Sequence, residues 1–128
     1  MSDDGMRYVA VELVMRAALL GEDGGTVSVG GLSLPETGYY VGGVVPTLGF
    51  GSRGEVRFPE VLSFLETSGT SYVGFWVDQE DGRVHFDAVD WYEWGTLAET
   101  VGASRGEIAI WDIRNNCEVR LNVTSARK

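Results

Sequence analysis

His85 is the only histidine in the chain, and Asp87 and Asp90 follow it within five residues. An imidazole oriented by a carboxylate is the usual general base, so this stretch is the first to weigh as chemistry. A hydrolase or transferase also needs a nucleophile beside that base, and no Gly-x-Ser-x-Gly sequence is present. Asp87 lies two residues on, on the same face of a strand, and a solvent-facing strand histidine is the plainer reading. An enzyme using His85 and Asp87 is kept as an alternative.

Metal chemistry has fewer residues to work with. One His and one Cys, Cys117, do not make a zinc site of the usual kind. Asp78-Gln-Glu80-Asp81-Gly82 resembles a calcium loop in its acidity only, since the spaced ligands and closing Glu are missing. Gly49-Phe-Gly51-Ser-Arg-Gly54 matches Gly-x-Gly-x-x-Gly by letter. It lacks the preceding buried strand and following helix that make that pattern a phosphate cradle, and no Lys-Ser/Thr pair follows. No cofactor or metal is expected. Asn122-Val-Thr124 is a glycosylation acceptor only in a secreted chain and is discounted.

Acidic and aromatic side chains offer a different chemistry, that of docking. Asp78, Glu80, Asp81, Asp87, Asp90, Glu93 and Glu99 stand against Arg83 alone, interleaved with Trp91, Tyr92 and Trp94. The run Trp91-Tyr-Glu-Trp94 is read as a connection, where aromatic residues typically anchor an interface. Asp78, Glu80, Asp81, Asp87, Asp90, Trp91, Tyr92, Glu93 and Trp94 are therefore the candidate binding surface. Trp76 alternates with Phe75, and Trp111 with Ile110, so these pairs divide between opposite sheet faces. Either both faces are covered, or one set of indoles is exposed for binding or dimerisation.

The elements that must position these residues follow from pattern. Met6 to Met15 shows period-two alternation and is read as a strand, after a frayed 1–5, although Val11 to Leu20 could instead be helical through Met15, Ala17, Ala18 and Leu19. Gly21 to Gly25 is a turn, Thr26 to Val29 a short strand, and Thr37 to Val45 a strand interrupted at Gly42-Gly43. A loop is expected from Pro46 through Gly54. Pro59 to Thr67 is the clearest helix, with Pro in its first turn and Gly69 as its cap. Two hairpins follow, Ser71–Val77 with Arg83–Val89, and Glu107–Ile113 with Glu118–Val123. Gly82 suits the first turn, and the Asn pair of Arg114-Asn-Asn-Cys117 suits the second. Between the hairpins Thr96 to Ala103 reads as a short helix, capped by Thr96, with Leu97 and Val101 inward. Residues 125–128 form a tail. The expected fold is one α+β domain over 1–128, an antiparallel sheet built from β-hairpins with two short helices packed on one face.

Bulk properties narrow the function classes. The chain has 128 residues, 44% of them hydrophobic and 23% charged, ordinary values for a single domain that folds without disulfides. The net charge of -9 disfavours nucleic acid and anionic membranes as partners and favours a basic protein surface. No stretch approaches a bilayer's width, and one cysteine fits a reducing compartment, so a cytoplasmic location is expected.

Tyr72-Val-Gly-Phe-Trp-Val-Asp78, Asp81-Gly-Arg-Val-His-Phe-Asp87, Arg105-Gly-Glu-Ile-Ala-Ile-Trp-Asp112 and Glu118-Val-Arg120 resemble small uncharacterised proteins of actinobacteria and their phages. The resemblance covers about the C-terminal half and carries over no catalytic residue; it implies a phage or mobile-element setting. The leading expectation is a non-enzymatic interaction module that binds a basic host or viral protein, as an inhibitor of a nucleic-acid-handling or defence factor. Besides the His85 enzyme, the alternatives are a small-ligand or nucleotide-binding module using the Gly42-Gly43 and Gly49–Gly54 loops, and a virion or homo-oligomeric structural protein, with a homodimer also open.

Overall fold

Val9, Ala10, Leu13 and Ala17 are buried while Tyr8, Val11, Met15 and Leu19 face solvent, a spacing that only a helix produces. The computed structural model of the chain describes residues 3–31 and 33–121. It opens with helix α1 (Asp3–Val14), which continues as a π-helical turn over Met15–Leu19. This corrects the strand expected over Met6–Met15, and Asp3 to Gly5 belong to the helix. Alternating valines imitate period two, yet their helical penalty is only a few tenths of a kcal/mol each (up to ~0.7). Burying Leu13 alone contributes about 1.5–3 kcal/mol, so packing decides.

The strands are β1 (Gly24–Ser28), β2 (Tyr39–Val41), β3 (Leu48–Phe50), β4 (Tyr72–Val77), β5 (Val84–Tyr92), β6 (Ala109–Asp112) and β7 (Cys117–Arg120). Helices α2 (Phe58–Ser68) and α3 (Gly95–Ser104) complete the chain, with a 3₁₀ turn at Arg53–Glu55. All pairings are antiparallel, in the order β1-β4-β5-β2-β6-β7, with β3 also on β5. The fold is thus α+β with an antiparallel sheet, as its hairpins indicated, although three helices rather than two pack on it.

Both hairpins form. Gly82 turns the first at φ 76°, and Asn116, at φ 53°, is the non-glycine residue in left-handed geometry at the second. Asp112 holds that turn by accepting hydrogen bonds from the Asn115 backbone N–H at 3.2 Å and its Nδ2 at 2.8 Å. Helix α2 closes at Gly69 in the left-handed region.

Three local expectations are corrected. Leu48–Phe50 lies in the segment expected as loop, yet it forms β3 by lying along β5 from Leu48↔Phe86 to Phe50↔Val84. Trp91 and Tyr92 belong to β5, not to a connection, because β2 supplies them with a partner strand. In α3, Val101 packs on the core as expected, but Leu97 is 48% exposed and Ala98 and Gly102 are buried. Small residues there let the helix sit close on Ile110 and Leu121, and Trp94 rather than Thr96 stands at its N-cap.

One core lies under α1 and α2, around Phe86, Phe75, Val73 and Leu65; a smaller one lies under α3, around Val41 and Ile110. By the alternation of side chains these residues share one face of the sheet, and among the described residues the opposite face carries no helix. The expected tail 125–128, the end of the second hairpin beyond Leu121 and the Asn122-Val-Thr124 acceptor lie outside the described residues.

Candidate functional site: the helix-free face of the sheet

Cross-strand register places the aromatic residues. Trp76 on β4 opposes His85 on β5, Tyr72 opposes Val89, Tyr40 on β2 opposes Trp91, and Trp111 on β6 opposes Tyr40. All stand on the face away from the helices, and β7 adds Glu118 beside Trp111. The indole of Trp76 stacks on the His85 ring, with centroids 4.8 Å apart and planes at 19°. Tyr40 and Tyr72 meet across β5 at 5.5 Å, over the strand position of Val89, which is buried. Burial among these rings raises the Tyr40 phenol to about 12.

Three tryptophans remain open on this face: Trp76 is 43% exposed, Trp111 38% and Trp91 37%. Trp91 is held in place, its Nε1 donating to the Thr37 carbonyl at 2.8 Å with the ring lying on Gly38. A shallow depression of about 310 Å³ beside it is lined by Ser71, Tyr72, Val89, Asp90, Trp91 and Tyr92. It opens where β4 has ended and β5 continues.

The acidic residues divide into three settings. Asp78, Glu80 and Asp81 lie at the tip of the β4–β5 hairpin, whereas Asp90, Trp91, Tyr92, Glu93 and Trp94 lie at its other end. Nine residues of β5 separate these groups by roughly 26 Å at ~3.3 Å per residue. At the tip, Asp78 and Asp81 accept from the backbone N–H groups of Glu80 and Arg83, so these two carboxylates shape the turn.

Asp87 is the third setting. Strands β2 and β3 run along the same edge of β5, and six residues, 42–47, bulge out opposite only three, Asp87 to Val89. The Asp87 carboxylate accepts from the Gly43 N–H at 3.4 Å, and Glu107 approaches the same glycine pair. Arg105, at the C-terminal end of α3, donates to the Val41 and Gly42 carbonyls and to Asp90 Oδ2 at 2.8 Å. Desolvation raises the Asp87 carboxyl above its ordinary value, against the pull of the Gly43 hydrogen bond and Arg105. Glu107 is raised by burial and then by the charge of Asp87. A side chain on Gly42 would collide with Asp87 and lie 2.9 Å from Glu107 Oε1, so any larger residue there must push these carboxylates aside.

These contacts bear on the sequence candidates. The Asp87 carboxylate is turned toward the Gly42-Gly43 backbone, and the His85 ring stacks on Trp76. The paired carboxylates at Gly42-Gly43 present a charge that repels phosphate. In the Gly49–Gly54 segment Arg53 is occupied elsewhere: it donates to the carbonyls of Ala17 and Glu22, each at 2.8 Å, and pairs with Asp23. Sequence reasoning missed Tyr40 and Tyr72 as parts of this face, and Arg105 and Glu107 as partners at the Gly42-Gly43 bulge. Tyr40 and Tyr72 were legible as strand aromatics, but their meeting depends on a register that no local pattern reveals.

Among the described residues no helix is long and apolar enough to cross a membrane. Comparison with family models, curated proteins and solved structures found no match.

Proposed function

We propose that this protein is a non-enzymatic interaction module that holds a basic protein partner against the helix-free face of its sheet. The observation that carries the reading is that three tryptophans from three strands stay 37–43% exposed on one face. Trp91 and Trp111 flank Tyr40, and Trp76 stands on the same face six residues further along β5, roughly 20 Å away at ~3.3 Å per residue. Exposed indoles lose water readily on docking and are the side chains that most often dominate binding energy. Arginine or lysine side chains of the partner lie over such rings by cation–π attraction. Acidic residues flank both ends of the β4–β5 hairpin, and a net charge of -9 steers a basic surface toward the molecule. In the mobile-element setting that the sequence resemblance implies, a host nucleic-acid-handling or defence protein has the required charge, because it must hold phosphate itself.

Affinity capture of a basic partner tests this, with Trp76→Ala and Trp111→Ala as probes and Glu80→Lys with Glu93→Lys as charge reversals. Asp87 and Asp90 are poor probes because their carboxylates hold the Gly43 N–H and Arg105 in place. Capture should weaken with each tryptophan variant and fall with added salt. Retention unchanged by both sets of variants removes the proposal.

A further inference from the structure

Residues 42–47 bulge out between β2 and β3, and no backbone–backbone hydrogen bond ties them to the rest of the described chain. Two side chains hold the bulge instead. Arg105 donates to the Gly42 carbonyl at 3.0 Å, and the Asp87 carboxylate accepts from the Gly43 N–H at 3.4 Å. Both anchors grip the glycine pair, where Gly43 turns the chain at φ 79°. A Cβ on Gly42 would meet Asp87 Oδ2 and Glu107 Oε1 together, and one on Gly43 would meet Glu107 Oε2. A carboxylate from β5 and one from the segment leading into β6 therefore converge on the same two residues. Arg105 is the cation beside them, yet its guanidinium is divided among the Val41 and Gly42 carbonyls and Asp90.

We propose that Asp87 and Glu107 act as a proton-operated latch on this bulge, closed while the pair holds a proton and released as both carboxylates ionise. One proton removes the like-charge repulsion at the glycine pair and leaves Asp87 an oxygen to accept the Gly43 N–H. Burial raises both carboxyls above their ordinary values, and the charge of Asp87 raises Glu107 further. The closed bulge thus binds the proton more tightly than an open, hydrated one. By linkage the open fraction grows as pH rises from the ordinary values of 3.8 and 4.5 through the raised ones. Around the pair, besides Arg105, stand His85 and Asp90 on β5, Tyr40 on β2, Tyr72 on β4, and Arg120 on β7 opposite Ala109; β3 and the bulge add no ionisable group. What the latch covers is the β5 edge at Asp87–Val89, which neither β2 nor β3 reaches. Nothing in it depends on what docks on the tryptophans.

Amide hydrogen exchange followed by NMR on the full chain, from about pH 4 to about pH 7 and corrected for the intrinsic rate, tests the latch. Protection of the Gly43 amide should fall at least about threefold over that range, while the core amides of Val73 and Phe86 change less. In Asp87→Asn with Glu107→Gln the fall should vanish, because neither group ionises. Glu107→Gln alone, at a side chain that makes no hydrogen bond among the described residues, should lessen it, and serves if the double variant does not fold. Gly43 protection that stays flat with pH, that falls only in step with Val73 and Phe86, or that falls as steeply in these variants as in the parent overturns the proposal.

Discussion

At Asp87 two effects oppose each other. Burial makes the charged form unfavourable, while the Gly43 N–H and the Arg105 guanidinium favour it, and burial prevails. Asp87 and Glu107 both sit above their ordinary values of 3.8 and 4.5 in the folded chain. Each therefore binds its proton more tightly folded than unfolded, and stability falls as pH rises from those ordinary values through the raised native ones. Asp112 works the other way: hydrogen bonds from Asn115 lower its carboxyl, and its contribution is lost as pH falls through the lowered value. Asp87→Asn keeps an oxygen for the Gly43 N–H and removes the repulsion with Glu107. It should melt above the parent near neutral pH and level with it in acid, as a pH series of thermal melts would show. Gly38 carries a second residue-scale prediction. Its φ is 91°, and a side chain there would strike the Trp91 indole and lie 2.7 Å from the Tyr92 carbonyl oxygen. Gly38→Ala should cost about 2–4 kcal/mol in denaturant unfolding and loosen Trp91, seen as a shifted tryptophan emission.

Among the elements, α1 has two faces with opposite expected responses. Leu13 is fully buried between helix and sheet, and Leu13→Ala should cost about 2–5 kcal/mol. Tyr8→Gln, on the outer stripe, should change monomer stability by no more than ~0.5 kcal/mol. Urea melts measure both variants. Val11→Gln distinguishes the helix from the strand that alternation suggests: a strand puts residue 11 on the face of Val9 and Leu13, whereas the helix leaves it exposed, so its urea melt should show little loss. The β2–β3 edge shows another dependence between elements. Neither three-residue strand is stable alone, and both exist because β5 presents a long edge that each can pair with. Arg105 then fixes the end of α3 to the start of the bulge, where its positive charge also suits the helix C-terminus.

For the whole molecule, the helices crowd one side of the sheet and leave the other to aromatic side chains. Removing one central indole from a docked interface typically costs 2 kcal/mol or more, which is about a 30-fold weakening. Trp76→Ala and Trp111→Ala should each reach that loss by calorimetry with the captured partner, with little change in folding, because both rings are about two-fifths exposed. Added salt should weaken binding further by screening the acidic ends.

Residue chemistry settled some of this without tertiary information. The two hairpins, the α2 helix with its Pro and Gly boundaries, and the separation of Phe75 from Trp76 and of Ile110 from Trp111 all follow from turn geometry and period-two alternation, which act over a few residues. Tertiary structure decided the rest. Whether Val9 to Val14 is helix or strand depends on what Leu13 is buried against, and β3 exists only through β5. The binding candidates drawn from residues 78–94 were contiguous in the chain, but an extended strand sets its ends far apart. The face that forms instead carries Tyr40, Tyr72, Trp76, Trp91 and Trp111, set on one side of the sheet by backbone pairing between strands distant in the sequence.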